Sequence, residues 1–284
     1  MHKPAAQWHE LHVQHTKEAV ITAPDWFTIR NVREKIAELP AAISHAMNLT
    51  QGKTQFDLGR DVRVVSPSQL PDKPGLMKAE GQGRLLHDLA SIELQAMELA
   101  TRSLFEYPDA PAQFRNELAD LALGEGRHLA LCLDAMEDLG FPWGTWDVHS
   151  SLWNAVSNDD TLLDRILIVH RYLEGSGLDA GESILRRMKG VKALRAKPVV
   201  ETIMQEEVDH VLFGSRWYHT IAKRDHVDAE KDFSSRIARI AQMVPRRERI
   251  AVEVRKLAGF NDFEIAVLEE NSRQLSQQSS IRGH

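Results

Sequence analysis

The residues best suited to chemistry in this sequence are two Glu-x-x-His motifs, Glu125-Gly-Arg-His128 and Glu207-Val-Asp-His210. Residues three apart share one face of a helix, so each motif presents a carboxylate beside an imidazole. Each motif also lies on an otherwise apolar stripe, where an uncompensated carboxylate costs several kcal/mol. A bound metal ion is the compensation that such a pair favours. A single motif arises easily by chance in a chain with 13 histidines, so the argument depends on its recurrence.

Two further acids stand at matching distances before the motifs. Glu93 lies on an apolar helical stripe and precedes Glu125 by 32 residues (125 − 93), while Glu174 precedes Glu207 by 33 (207 − 174). A chain that runs along half of a long helix, turns, and runs back along half of the next helix returns to the same height along the helix axis. Each half of the sequence therefore predicts an antiparallel helix hairpin with its acids and histidine level.

Two such hairpins predict an all-α fold, a ferritin-like four-helix bundle with additional N- and C-terminal helices. The predicted metal ligands at its centre are Glu93, Glu125, His128, Glu174, Glu207 and His210. One Glu from each of two helices and a Glu-x-x-His from each of the others is the ligand set of di-iron and di-manganese bundles. Four carboxylates balance two divalent ions, and donors without thiolate suit two iron ions, with manganese or a mixed pair possible. The alternative is a metal-free bundle whose polar core residues pair with one another.

Three neighbouring positions bear on how the ligands are oriented. Glu206 is expected to offer a carboxylate to the imidazole of the opposite motif, that of His128. By symmetry Gly124 should be acidic, so His210 needs another partner or water. His170, one turn before Glu174, could be a seventh ligand, a donor to a ligand or a packed core residue.

Helical periodicity and breakers divide the chain into helices and connections. Helices are predicted over residues 5–20, 28–47 with a break at Pro40, 78–106, 112–139, 161–175, 180–188, 198–223, 227–243, 247–257 and 262–274. The run Gly175-Ser-Gly177 marks the end of the helix that carries Glu174, and the tail after Leu275 is expected to fray. The predicted units are an N-terminal helical extension with a wrapping loop (1–77), the bundle (78–223) and a C-terminal helical extension (224–284).

Three less specific features have simple structural explanations. His9, His12 and His15 recur along the first predicted helix, which favours a solvated face over a metal row. The connection 140–160 carries Trp143, Trp146 and Trp153, which are expected to cover an open end of the bundle, beside which a substrate would enter. The basic run 186–197 is typical of a solvated face, with an RNA contact as the weaker alternative.

Composition sets the outer limits of function. A net charge of −6 and a pI near 6.1 make nucleic acid an improbable partner. The N-terminus has no apolar signal region and no window could cross a membrane, which favours a soluble protein without a targeting signal. Cys132 is the only cysteine, so no internal disulfide can form, and a reducing cytoplasmic setting is expected.

Four segments together carry a resemblance to a known family. They are LLHDLASIELQAMEL at 85–99, GEGRH at 124–128, VHRYLEGSGLD at 169–179 and EEVDH at 206–210. With these segments the chain resembles a bacterial family of ferritin-like proteins catalogued as a domain of unknown function, from about residue 66 to beyond 217. The resemblance implies the bundle and a metal site. The wider superfamily that it resembles includes ferritins, rubrerythrins, manganese catalases, tRNA hydroxylases and other di-iron oxygenases.

Because one bundle supports several chemistries, four classes of function stay open. The leading hypothesis is a di-iron oxygenase or oxidase that uses dioxygen, an unidentified substrate and an electron donor. The others are a ferroxidase or iron-handling protein, a manganese or peroxide-using bundle, and a non-catalytic scaffold. A dimer is possible, whereas iron storage would require a large closed oligomer.

Overall fold

The computed structural model describes residues 25–191, 195–243 and 249–282. The helix expected over 5–20, with His9, His12 and His15, lies outside these ranges. The described helices are α1 (Val32–Ala37), α2 (Leu39–Met47), α3 (Ala79–Glu106), α4 (Ala112–Asp138), α5 (Leu162–Arg165), a π-helical segment (Ile166–Leu173), α6 (Glu174–Met188), α7 (Ala196–Arg224), α8 (Ala229–Met243), α9 (Val252–Leu257) and α10 (Asp262–Arg282). Short 3₁₀ turns and one isolated bridge, Val64 to Val148, complete the regular structure of the described ranges. The prediction of an all-α bundle is confirmed.

Two helix hairpins form the centre of the molecule. Helices α3 and α4 pack along their whole length across a short connection, and α7 packs against α6 and the π-helical segment. Contacts of α7 with α4 and α3 join the hairpins. The predicted inward stripes are buried because they are apolar at every helical repeat except where the acids and histidines stand.

Part of the N-terminal region packs against the first hairpin, since α2 contacts α3 and α4, and α1 contacts α4. Helices α1 and α2 are separate, with Pro40 in the first turn of α2, a position where its missing N–H costs nothing. The chain from 48 to 78 then runs over the bundle with a single 3₁₀ turn, Pro67–Gln69. A buried ion cluster attaches it to α3, since Lys35 and Arg60 both donate to Glu98 at 2.8 and 2.5 Å.

The predicted helix end at Gly175-Ser-Gly177 is wrong, because the helix continues to Met188. Neither glycine has a positive φ, so neither terminates the helix. Gly175 is instead a point of close approach, where an added Cβ would lie 2.0 Å from Nη1 of Arg255. The π-helical segment precedes it, and its wider turns set the direction from which Glu174 enters the core.

The C-terminal helices pack on the outside of this second hairpin. Helix α8 contacts α10 and the π-helical segment, and α9 contacts α6 and α7. The guanidinium of Arg171 binds both carboxylate oxygens of Glu264 at 2.8 Å. Helix α9 begins at Val252, later than expected, and α10 extends to Arg282 rather than ending near 274. The division into three units stays a prediction.

Candidate metal centre

The four long helical runs bring the two Glu-x-x-His motifs face to face. One donor atom from each of Glu125, His128, Glu207 and His210 lies within 4.8 Å of the other three. All are buried except His210, whose side chain is 11% exposed. Helix α4 supplies the first motif and α7 the second, so the contact between these two helices creates the cluster.

Around His128, three carboxylates surround one imidazole nitrogen. The Nδ1 atom lies 3.5 Å from Glu93 Oε2, 3.5 Å from Glu125 Oε2 and 3.4 Å from Glu207 Oε1. These separations are too long for strong hydrogen bonds. Ligands that each lie about 2.1 Å from one ion at tetrahedral angles would be roughly 3.4 Å apart. The spacing therefore fits donors arranged around a common cation.

Around His210 the arrangement is repeated with the same two shared acids. Its Nδ1 atom lies 3.0 Å from Glu125 Oε1 and 3.2 Å from Glu207 Oε1. Glu125 and Glu207 thus face both imidazoles, the position that bridging carboxylates need. Glu174 borders the same cavity as Glu93, Glu125 and Glu207 and is buried on the opposite hairpin from Glu93.

Several buried polar atoms of the cluster have no hydrogen-bond partner among the described residues. They are both carboxylate oxygens of Glu125, Nδ1 of His128, Oε2 of Glu174 and Nε2 of His170. Buried polar groups in folded proteins nearly always have partners. Four carboxylates and two imidazoles without thiolate form a donor set typical of iron or manganese. These residues therefore fit a buried metal centre.

The pKa values of the cluster residues reflect the same excess of buried negative charge. Burial raises the pKa of Glu93 well above its usual value, and the charges of Glu125 and Glu207 add to the shift. Burial opposes the protonated form of His210, but the charge of Glu125 and the nearby carboxylate of Glu207 raise its pKa to about 11. For His128 burial is likewise outweighed, by the carboxylates of Glu125, Glu207 and Glu93 that face its ring, and its pKa rises. Without metal, protons on the imidazoles partly offset the acids.

Side chains just outside the cluster orient its members. Glu206 Oε2 lies 3.1 Å from Nε2 of His128, which leaves Nδ1 facing the acids. His170 Nδ1 lies 2.7 Å from Glu174 Oε1, so His170 contacts the cluster through that carboxylate. At Gly124 a Cβ would lie 2.9 Å from Nε2 of His210. An acidic side chain there would displace His210, which explains why the symmetry between the motifs is broken.

Two buried arginines near Glu174 were not anticipated from the sequence. Arg255 Nη2 pairs with Asp179 Oδ2 at 2.7 Å, and Nη1 donates to the carbonyl of Arg171 at 3.1 Å. Arg171 itself lies 4.4 Å from the ring centroid of Phe260. These contacts hold the chain on both sides of Glu174. The only sequence signal was Gly175, whose missing side chain makes room for Arg255.

A cavity of about 290 Å³ adjoins the cluster between α3, α6 and α7. Of the connection between the hairpins, only Leu152 borders it; the three tryptophans do not. Trp143 stacks on His87 at 4.7 Å and Trp153 lies 4.7 Å from the guanidinium of Arg102. The tryptophans therefore cover the outer side of α3, and the cavity does not open beside them.

Comparisons with known sequences found a matching family and a similar protein, and neither has an assigned function. The model of a family described as "Protein of unknown function (DUF455)" matches residues 27–266. An uncharacterized protein of Haemophilus influenzae is 27% identical over 220 residues, which cover 75% of this chain and 76% of the relative. No solved structure shows a significant match. Among the described helices, none has both the length and the apolar composition that crossing a membrane requires.

Proposed function

This chain belongs to the DUF455 family of proteins of unknown function, and from that premise and the geometry above we propose that it is a metal-dependent oxidoreductase. Its centre would hold two divalent transition-metal ions, and iron is the metal we expect first. Glu93, Glu125, His128, Glu174, Glu207 and His210 would hold the ions, with Glu125, His128, Glu207 and His210 as the four donors that lie nearest to one another. The bundle is then ferritin-like in its ligand arrangement.

The observation that carries the proposal is the set of unpartnered donors. Oε2 of Glu125 and Nδ1 of His128 are buried and lie 3.5 Å apart, and neither has a hydrogen-bond partner among the described residues. Four buried carboxylates without cations would repel strongly in a low dielectric. A cluster of this kind is stable only with compensating charge, and the donor types select iron or manganese.

An iron pair supplies the reduction of dioxygen when it is bound, which gives the oxidising power for attack on a substrate C–H bond. Hydroxylation would place one oxygen atom in the substrate and release the other as water, with two electrons and two protons from an external reductant. The protein's residues would hold and orient the ions, with Glu206 fixing the His128 ring and His170 fixing Glu174. The apolar wall beside them would exclude water from the reacting position.

The cavity is the reason to favour substrate oxidation over iron handling. It reaches all four carboxylates and is lined mainly by apolar side chains, whereas a path for iron would need polar ligands along it. An apolar cavity with a few convergent polar groups at one end is the usual form of a small-molecule site.

The test is elemental analysis of protein purified without added metal, beside the Glu207→Ala variant. We expect two irons per chain in the wild type, loss of both sites' metal in the variant, and dioxygen consumption after reduction of the wild type. Two manganese ions per chain would redirect the proposal to peroxide chemistry. Absence of metal from both proteins, with equal thermal stability, would overturn it in favour of a scaffold.

A further inference from the structure

The cavity beside the metal centre has one charged and one open end. At the inner end lie the carboxylates of Glu93, Glu125, Glu174 and Glu207. Between the ends the wall is apolar, with Leu89, Ile92, Leu173, Ile184, Val200 and Ile203 among its residues. Lys73, Asp88 and Arg187 border it as well, and their side chains reach solvent. The shape is that of a pocket that runs from the surface to the centre.

Helix α6 carries small residues where it borders this pocket. Gly177, Ala180 and Gly181 follow Glu174 at helical spacing and line the wall. Met204 fills the space beside Gly181, but a Cβ at Gly177 would meet no atom within 4 Å. A glycine inside a helix is less favourable than an alanine. Gly177 is exposed and no neighbouring side chain requires a glycine there, so a larger side chain at this position would stand at the rim of the pocket.

At the open end of the pocket, which we call its mouth, the guanidinium of Arg187 has no ion-pair partner among the described residues. Lys73 Nζ pairs with Asp88 Oδ2 at 2.8 Å, and Arg84 Nε lies 3.0 Å from Oδ1 of the same carboxylate, so two cations share one acid there. Arg187 is exposed and, in the part of the chain that the structure describes, has neither an ion pair nor a hydrogen bond from its side chain. It lies thirteen residues after Glu174 (187 − 174) on the same helix, which corresponds to roughly 20 Å along the axis. The open end of the pocket therefore carries net positive charge.

The volume sets the size of the occupant. A dry cavity of about 150 Å³ accommodates a benzene-sized molecule. A cavity of about 290 Å³ accordingly holds an apolar chain on the order of ten carbon atoms. With two divalent ions balancing the four inner carboxylates, an anionic group on that chain would lose its hydration in the apolar part of the pocket, whereas at the open end it would keep water and be attracted by Arg187.

We propose that this pocket binds an unbranched medium-chain monocarboxylate, with its carboxylate at Arg187 and its methyl end at Glu93 and Glu174. The proposal rests on the oxidoreductase function above, for which it names the substrate class. In this orientation the carbon atoms nearest the metal centre are those of the chain terminus, and the carboxylate stays hydrated at the mouth. The site thereby selects its ligand by length and by charge at one end.

The experiment is calorimetric titration of the purified, metal-analysed full chain with decanoate, 1-decanol and decylammonium at pH 7.5. We expect decanoate to bind about threefold to fivefold more tightly than decanol, with decylammonium the weakest, because an ion pair with an exposed arginine changes affinity by up to about fivefold. In Arg187→Gln the preference for decanoate over decanol should disappear. Arg186→Gln, a neighbouring exposed arginine that does not border the pocket, should retain it.

A second pair of variants tests the location of the ligand. Gly177→Leu should abolish binding of both decanoate and decanol, since its side chain occupies the open space, while Gly177→Ala should bind both and melt at or above the wild-type temperature. Equal binding of decanol and decanoate, or unchanged binding in Gly177→Leu, would overturn the proposal. Metal analysis separates it from the function: two ions without ligand binding refutes the pocket alone, whereas decanoate binding without any metal refutes the metal centre alone.

Discussion

The Nε2 atom of His128 lies 3.1 Å from Oε2 of Glu206, the residue that immediately precedes the cluster acid Glu207. One helix therefore supplies both a cluster acid and the carboxylate that orients the imidazole of the facing helix. When Nε2–H donates to Glu206, Nδ1 faces Glu93, Glu125 and Glu207, and in the neutral imidazole its lone pair would be available to a metal ion there.

We expect Glu206→Ala to weaken metal binding by about 10- to 100-fold, because the ring of His128 loses the partner that fixes its tautomer and orientation. The measurement is the metal dissociation constant by competition with a chromophoric chelator. Asp209→Ala removes an equal charge from an exposed position three residues further along α7 and should leave the constant within twofold. Equal weakening in the two variants would show that Glu206 acts only through bulk charge.

Removal of metal should lower thermal stability. An ion that binds only the folded chain stabilises it by about 2.7 kcal/mol at a hundredfold excess over its dissociation constant, which corresponds to several degrees in Tm. We expect chelation followed by buffer exchange to lower the Tm, and added iron(II) without oxygen to restore it. Glu125→Ala, which removes a carboxylate shared by both imidazoles, should show one Tm regardless of chelator. Identical wild-type melting curves with and without metal would argue against a resident ion.

The sequence predicts the bundle and the meeting of its acids because both follow from helix arithmetic. Intervals of 32 and 33 residues return Glu125 and Glu207 to the heights of Glu93 and Glu174 because the connections are short, from Glu106 to Ala112 and from Met188 to Ala196. The π-helical segment could not be predicted, since its stability comes from contacts with residues about ninety positions later, such as Glu264 with Arg171. The helix end predicted at Gly175 was wrong because a sequence pattern does not distinguish a glycine that ends a helix from one that makes room for a neighbour. At Gly175 the neighbour is the side chain of Arg255.

Acid should destabilise the protein through His87. Its ring is buried between Trp143 and Trp146, its Nε2 accepts from the N–H of Gly144 at 3.3 Å, and burial lowers its pKa to about 4. A histidine with a depressed folded pKa contributes stability above its unfolded value of about 6.5, and this is lost as pH falls from there through 4. The loss is about 3 kcal/mol at most.

Urea unfolding of wild type and His87→Phe between pH 7.5 and 4.5 measures this contribution. We expect the free energy of unfolding of the wild type to fall more steeply with decreasing pH than that of the variant, which keeps the ring stacking but cannot be protonated. His45→Phe changes an exposed histidine and should follow the wild type. Parallel curves for wild type and His87→Phe would refute the assignment.

The ion pair between Arg255 and Asp179 should matter to both stability and the metal centre. Both side chains are buried and 2.7 Å apart, and the guanidinium also binds the carbonyl of Arg171 beside Gly175. Arg255→Met removes the buried cation that faces the carboxylate of Asp179, a loss that typically costs about 3–5 kcal/mol. We expect the double variant Arg255→Met with Asp179→Leu to recover most of that loss, because an apolar pair of similar volume replaces the two charges.

If Arg255 also positions Glu174, the double variant should unfold at nearly the wild-type urea concentration yet bind metal more weakly. Wild-type metal affinity in that variant would restrict the pair to a structural role, whereas weak affinity in a stable protein would show that the outer helices set the geometry of the centre.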